Sequence, residues 1–198
     1  MEPFRPLNAV ALPIARPNLD TDQILPARYL QKPRANDFGE YLFRDLRFFK
    51  DESENPDFVL NKAPYRQSKI VVAERNFACG SSREHAVWAL YDYGFRAAIA
   101  PSFGDIFFSN ALKNGLLPIV LPDHVVVKLL ESLQASPGQQ IRIDLEMQTV
   151  TAPDSSIQNF DVDPFAKYCL LNGIDELDYT LSQMRHITAF EKKQASPW

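Results

Sequence analysis

Apolar and polar residues along this chain fall into short runs whose period changes several times. Val10 to Ile14, Ile70 to Ala73, Ala97 to Ala100 and Leu117 to Leu121 are continuous apolar runs of strand length, the pattern of a strand covered on both faces. Between and after them come stretches with helical spacing: Ala86, Trp88, Ala89 and Leu90; Ile106, Phe107, Asn110, Ala111 and Leu112; then Val126, Val127, Leu129, Leu130 and Leu133. Strands alternating with helices predict right-handed crossovers and a largely parallel sheet. Beyond Pro137-Gly138 the period drops to two, with Ile141, Ile143 and Leu145 alternating with Arg142, Asp144 and Glu146. Thr149-Val150-Thr151 and Ile157 to Phe160 continue in short strands, so an antiparallel meander is predicted.

Punctuation residues bound these elements. Asn114-Gly115 stops the helix before it, Asp123 is placed as the cap of a helix from about His124 to Leu133, and Asp163-Pro164 opens a helix over Phe165 to Leu171 that Asn172-Gly173 ends. One further helix is predicted from Ile174 to Met184, with a polar tail after Phe190. Lys32 to Gly39 reads as a turn-rich loop, and Tyr41 to Phe49 as a short helix or packed turn. No internal repeat or linker interrupts the chain, so residues 1–198 are expected to form a single domain.

The composition is that of a globular protein: 198 residues, 45 % apolar and 23 % charged. A net charge of −4 gives no electrostatic reason to expect nucleic acid or an acidic membrane surface as partner. No run approaches the roughly 20 apolar residues that span a bilayer, and Met1 to Pro6 lacks a signal-peptide pattern. Two isolated cysteines, Cys79 and Cys169, suit a reducing compartment, and a cytoplasmic protein is expected.

Chemistry concentrates in Lys69 to Leu90. A buried strand runs into Gly80, and Ser81 with Glu84 has the Ser-x-x-Glu form of a capping box, so a helix is predicted to start at Ser81. A helix start offers unpaired N–H groups and the positive end of the peptide dipole to an anion. Arg83 adds a planar fork of donors that matches a carboxylate. Two readings stand on these residue types: a carboxylate or phosphate site containing two hydroxyls, or a plain cap with Ser82 solvated and Arg83 paired to a surface acid. A Gly-x-Ser-x-Gly nucleophile elbow is absent, since Arg83 and Cys79 occupy the glycine positions. Against a nucleophilic pair, Cys79 reads better as packing, and His85 as an imidazole hydrogen-bonded to nearby backbone than as a proton carrier. Asp20, Thr21 and Asp22 are turn and cap formers, with no further acids at calcium-loop spacing.

The string Asn76-Phe77, Cys79-Gly80-Ser81-Ser82-Arg83-Glu84-His85-Ala86 and Trp88-Ala89-Leu90 resembles the signature of the 3-isopropylmalate dehydratase small-subunit family, in the aconitase superfamily. The resemblance continues through Asp92 to Arg96, Ile99 to Phe103, Asp105 to Phe107 and Lys113 to Ile119, and upstream through Asn18 to Ile24 and Asn55 to Asn61. It covers nearly the whole chain and thins after about residue 145. Two positions depart: the family usually has glycine at Ala78 and often proline at Val87.

That resemblance implies a three-layer β/β/α swivelling domain with a mostly parallel central sheet and a small antiparallel portion. It implies a hydro-lyase that isomerises 2-isopropylmalate to 3-isopropylmalate in leucine biosynthesis, active only with a large subunit in a heterodimer or heterotetramer. No cofactor is expected on this chain; a 4Fe–4S cluster, which needs several thiolates, is expected on the partner. Ser81 matches the base, Arg83 and Asp22 accompany it, and Ser82, Arg83, Thr21 and Arg34 are expected to bind a small hydroxy-diacid. Discrimination between side chains of the substrate is expected in the loop around Lys32 to Phe38. The rival readings are a related hydro-lyase subunit acting on citraconate, 2-methylmalate or homoaconitate, and a non-catalytic anion-binding domain.

Overall fold

The computed structural model describes residues 1–34, 37–80 and 83–194. In chain order the regular elements are β1 (Leu7–Ile14), α1 (Thr21–Ile24), α2 (Arg44–Arg47), β2 (Ile70–Ala73), α3 (Glu84–Tyr93), β3 (Ala97–Ala100), α4 (Asp105–Lys113) and β4 (Leu117–Val120). They continue with α5 (Asp123–Ala135), β5 (Gln140–Asp144), β6 (Thr149–Thr151), β7 (Ile157–Asn159), α6 (Pro164–Asn172), α7 (Glu176–Ser182) and α8 (Met184–Gln194).

The strands form one sheet in the order β4-β3-β2-β1-β5-β6-β7. The β4-β3-β2-β1 portion is parallel, as the alternation of strand and helix requires, and β5, β6 and β7 continue it as the expected antiparallel meander. β1 joins the two portions. Its second half, Ala11 to Ile14, pairs with β2, while Leu7 to Val10 pairs with β5. This is why β1 begins three residues ahead of the apolar run at Val10: the added residues serve the antiparallel partner, and Asn8 is exposed there.

The continuous apolar runs follow from a sheet buried on both sides. In β2, Val71 and Ala73 face one core with Leu12, Ile14, Ala98 and Ala100, against which α3 and α4 pack Ala86, Val87, Leu90, Phe107 and Ala111. Ile70 and Val72 face the other, with Ile99, Leu117, Ile119 and the α5 residues Val126, Leu129, Leu130 and Leu133. Each fully buried aliphatic side chain of this kind stabilises the fold by about 1.5–3 kcal/mol.

Two helix expectations are corrected. Asp123 is the first residue of α5 and Pro122 its N-cap, with no side-chain cap bond; the carboxylate at the first helical position still complements the dipole. The span from Ile174 to Met184 is two pieces: α7, opened by an Asp175/Asp178 capping box, closes at Gln183, and α8 begins at Met184. α8 carries on past Phe190 to Gln194, with Lys192 and Lys193 in a last turn where cations are favoured.

Candidate active site

The loops after β1, β2 and β3 meet at the carboxyl ends of the parallel strands, the place where open α/β sheets bind ligands. Residues 74–80 are laced between the other two loops. On one side the Asn18 N–H donates to the Arg75 carbonyl at 3.0 Å, the Cys79 N–H to Leu19 O at 3.2 Å and the Thr21 N–H to Cys79 O at 2.9 Å. On the other side the Phe77 N–H donates to Ser102 O and the Gly104 N–H to Phe77 O, both at 3.0 Å. Asn76 adds ties that involve side chains, its backbone N–H donating to Ser102 Oγ at 2.8 Å and its Nδ2 to Asn18 Oδ1 at 2.8 Å. The lacing imposes positive φ on alternate residues, Asn76 at 58°, Ala78 at 57° and Gly80 at 92°. Gly104 has to be glycine: a Cβ there would lie 2.5 Å from the Ala78 carbonyl oxygen.

This loop sets α1 against α3. Asp20 caps α1 through a capping box, its Oδ1 accepting from the Gln23 N–H at 2.8 Å while Gln23 Oε1 accepts from the Asp20 N–H at 3.2 Å. Thr21 is buried, and a Cβ at Gly80 would stand 3.9 Å from its Oγ1. Asp22 projects half-exposed and forms an ion pair with Arg83, whose side chain is only 17 % exposed. Sixty-one residues separate the two in sequence.

The predicted helix start is corrected here. α3 begins at Glu84 rather than Ser81, with Arg83 as its N-cap in extended conformation and no side-chain cap bond. The Glu84 carboxylate instead accepts from Asn114 Nδ2 at 2.8 Å. Ser81 and Ser82 lie outside the described residues. His85 packs its ring 4.4 Å from that of Trp88 and 6.3 Å from Phe38.

The structure thus brings together Thr21, Asp22 and Arg83, and it places Arg34 elsewhere. Arg34 forms a bidentate pair with Asp92, in the last turn of α3, through Nε at 2.9 Å and an Nη at 2.7 Å, with its guanidinium 5.3 Å from the Trp88 ring centroid. The hydrogen bonds to Asp92 push its pKa up, against the opposing effect of burial. Cavities such as that of about 610 Å³ bounded by Gly39, Arg47, Asp92 and Tyr93, and that of about 240 Å³ by His124, Lys128 and Asp154, border neither Asp22 nor Arg83. Cavity size and charged chemistry therefore mark different places, and the charged turn carries the donors an anion needs. Sequence reading missed Asn114, taken only as a helix stop; its bonds to α3 come from another element and leave no local signal.

The model of the Aconitase C-terminal domain family matches residues 1–124, and a LeuD_N model matches residues 127–164. Curated 3-isopropylmalate dehydratase small subunits from Leptospira interrogans and Paramagnetospirillum magneticum are each 49 % identical to this chain, covering all of it and 98 % and 100 % of their own lengths. This chain belongs to the 3-isopropylmalate dehydratase small-subunit family. A solved 3-isopropylmalate dehydratase structure from Methanocaldococcus jannaschii, 23 % identical, superposes with a TM-score of 0.68 over 94 % of this chain and 99 % of that one. The resemblance read from Asn76 to Leu90 and the expected fold class are both borne out.

Proposed function

We propose that this chain is the small subunit of a 3-isopropylmalate dehydratase, a hydro-lyase that removes water from 2-isopropylmalate and re-adds it to give 3-isopropylmalate in leucine biosynthesis. The observation that carries the reading is the 49 % identity to small subunits along the full chain. Residues 1–198 act as one swivelling domain that supplies one wall of the site, and a large subunit supplies the other, in a heterodimer or heterotetramer. Among the described residues no helix is long and apolar enough to cross a membrane, which accords with work in the cytoplasm.

The donor set on this chain does not fit an iron–sulfur cluster. Cys79 and Cys169 are single thiols, and the described residues contain no group of three His, Cys, Asp or Glu side chains that could hold a metal ion. The cluster is assigned to the large subunit, and the roles that follow are those of this chain alone.

Arg83 clamps a substrate carboxylate, a role supported by its largely buried guanidinium at the positive end of α3. Asp22 holds that guanidinium in place from α1, and Thr21 and Ser82 hydrogen-bond the substrate. Ser81 takes the proton from the carbon next to a carboxylate, and a cation two residues on in the sequence, Arg83, favours a serine alkoxide. Arg34 reaches the substrate on leaving Asp92. Holding the hydroxy-diacid in reactive geometry lowers the barrier by several kcal/mol.

The test is anaerobic turnover of 2-isopropylmalate by this chain with a cluster-bearing large subunit, native against Ser81→Ala. Loss of turnover by orders of magnitude, with the complex intact, is expected. Near-native turnover in the variant would sink Ser81 as base. Inactivity of every native mixture on 2-isopropylmalate, with activity on citraconate, 2-methylmalate or homoaconitate, would reassign the substrate; inactivity on all of them would favour an anion-binding domain.

A further inference from the structure

We infer that Asn114 is a positioning residue for the active site, an amide clamp from α4 that fixes the first turn of α3 and through it the direction of Arg83. The inference rests on the role given to Arg83 above.

Among the described residues, the N-terminus of α3 has no side-chain cap to hold the helix start. Arg83 stands at the N-cap, and a guanidinium has no acceptor to offer the free N–H groups behind it. What holds this turn instead comes from 30 residues downstream. Asn114 Nδ2 donates to Glu84 Oε1 at 2.8 Å, and Asn114 Oδ1 accepts from Trp88 Nε1 at 3.0 Å. Glu84 and Trp88 are four residues apart, one above the other on the same face of the helix. A single amide therefore grips two successive turns of α3, and a slide or rotation of the helix start would break both bonds.

The clamp is itself rigid. Asn114 caps the C-terminus of α4, its backbone N–H reaching Asn110 O and Ala111 O, and Nδ2 makes a second bond to Asn110 O at 2.9 Å. Both amide protons and the carbonyl are thereby engaged, an arrangement that only an amide satisfies: a carboxylate would face Glu84 with like charge and no donor. Gly115 follows at φ +85°, and a Cβ there would stand 3.0 Å from the Tyr91 ring, so the corner after α4 is seated directly on α3. Arg83 is the residue next to the clamped Glu84, and its guanidinium has to meet both Asp22 and a substrate carboxylate.

The experiment pairs Asn114→Asp with the double variant Asn114→Asp/Glu84→Gln, which exchanges donor and acceptor and restores a bond between the two positions. Each is assayed as the complex with the large subunit, and the Trp88 emission of each isolated chain is read in a Trp198→Phe background. The single variant is expected to lose about tenfold or more in kcat with a smaller change in KM, as displaced catalytic groups do, and to shift the Trp88 emission; the double variant is expected to recover both. A single variant with native kcat and emission, or a double variant no better than the single, would overturn the inference. An inactive native complex would count against the proposed reaction instead, and the emission would still report on the clamp.

Discussion

Helix α3 carries an arginine–aspartate pair at each end, and the two pairs stand in opposite relation to the helix. At the C-terminal end Asp92 adds a negative charge to the negative pole of the dipole, an unfavourable placement. Arg34 covers it with two short hydrogen bonds, leaving Asp92 only 16 % exposed. At the N-terminal end Arg83 adds a positive charge to the positive pole, and its partner Asp22 is 53 % exposed. Each pair is neutral overall and leaves its pole standing, negative at one end and positive at the other, and only at the positive end does water reach the carboxylate of the pair. The same two residue types thus make a closed tie at one end and, at the other, an open pair beside the positive pole, the end that favours an anion.

The largest effect should follow from breaking the N-terminal pair. Arg83→Ala is expected to lower kcat/KM by about thirtyfold, the equivalent of about 2 kcal/mol for a charge-assisted hydrogen bond to the substrate. Arg83→Lys should recover only part of it, because an ammonium lacks the bidentate fork. The measurement is steady-state kinetics of the complex, with a melting curve alongside. An unchanged kcat/KM in Arg83→Ala would make both pairs structural and erase the distinction.

A smaller effect is expected at the other end. The Arg34 side chain is about a third exposed, so Asp92→Asn should cost no more than about 1 kcal/mol of stability by chemical denaturation. Its kinetic effect is the sharper one. If Asp92 competes with the substrate for Arg34, then Asp92→Asn lowers KM for 2-isopropylmalate and Arg34→Ala raises it. Equal KM values in both variants would confine Arg34 to tying the loop onto α3.

How far the sequence discloses this arrangement depends on whether the partners are local. Buried runs at Ile70 to Ala73 and Ala97 to Ala100 announce a parallel sheet, because a strand covered on both faces has no polar side to show. The two four-residue patterns Asp20-Thr21-Asp22-Gln23 and Ser81-Ser82-Arg83-Glu84 look alike as capping boxes, yet the first is one while the N-cap of α3 falls on Arg83. Among the described residues Gln23 bonds only Asp20, whereas Glu84 is claimed by Asn114 across the interface of α3 and α4. The same holds for Arg34: a basic residue in a polar loop shows its charge in the sequence, but not the aspartate two turns beyond Arg83's end of the helix that takes it. Arg83 was legible from its residue type, as a carboxylate fork or as the partner of a surface acid, whereas Asp22 was singled out only through the family resemblance, and nothing in either segment names the other as its partner.

The smallest effect concerns strain, which also distinguishes the two ends. The chain enters α3 through positive φ at Asn76, Ala78 and Gly80, and leaves it through Gly94, where no side chain is strained. Ala78 holds φ +57° at a position where the family usually has glycine, and its methyl is buried. Relieving a left-handed alanine gains about 1–2 kcal/mol, losing the buried methyl costs about 0.8 kcal/mol, and the freer unfolded chain of a glycine variant costs about 0.4–1 kcal/mol more. The terms nearly cancel, so Ala78→Gly should change unfolding free energy by less than about 1 kcal/mol, read by denaturant titration. Ala78→Val, which puts a branched Cβ at positive φ, should be much worse than that. Were Ala78→Gly strongly stabilising and Arg83-dependent turnover reduced with it, the strained approach to α3 would be part of how the N-terminal pair is held, and the contrast between the two ends would extend from charge to backbone.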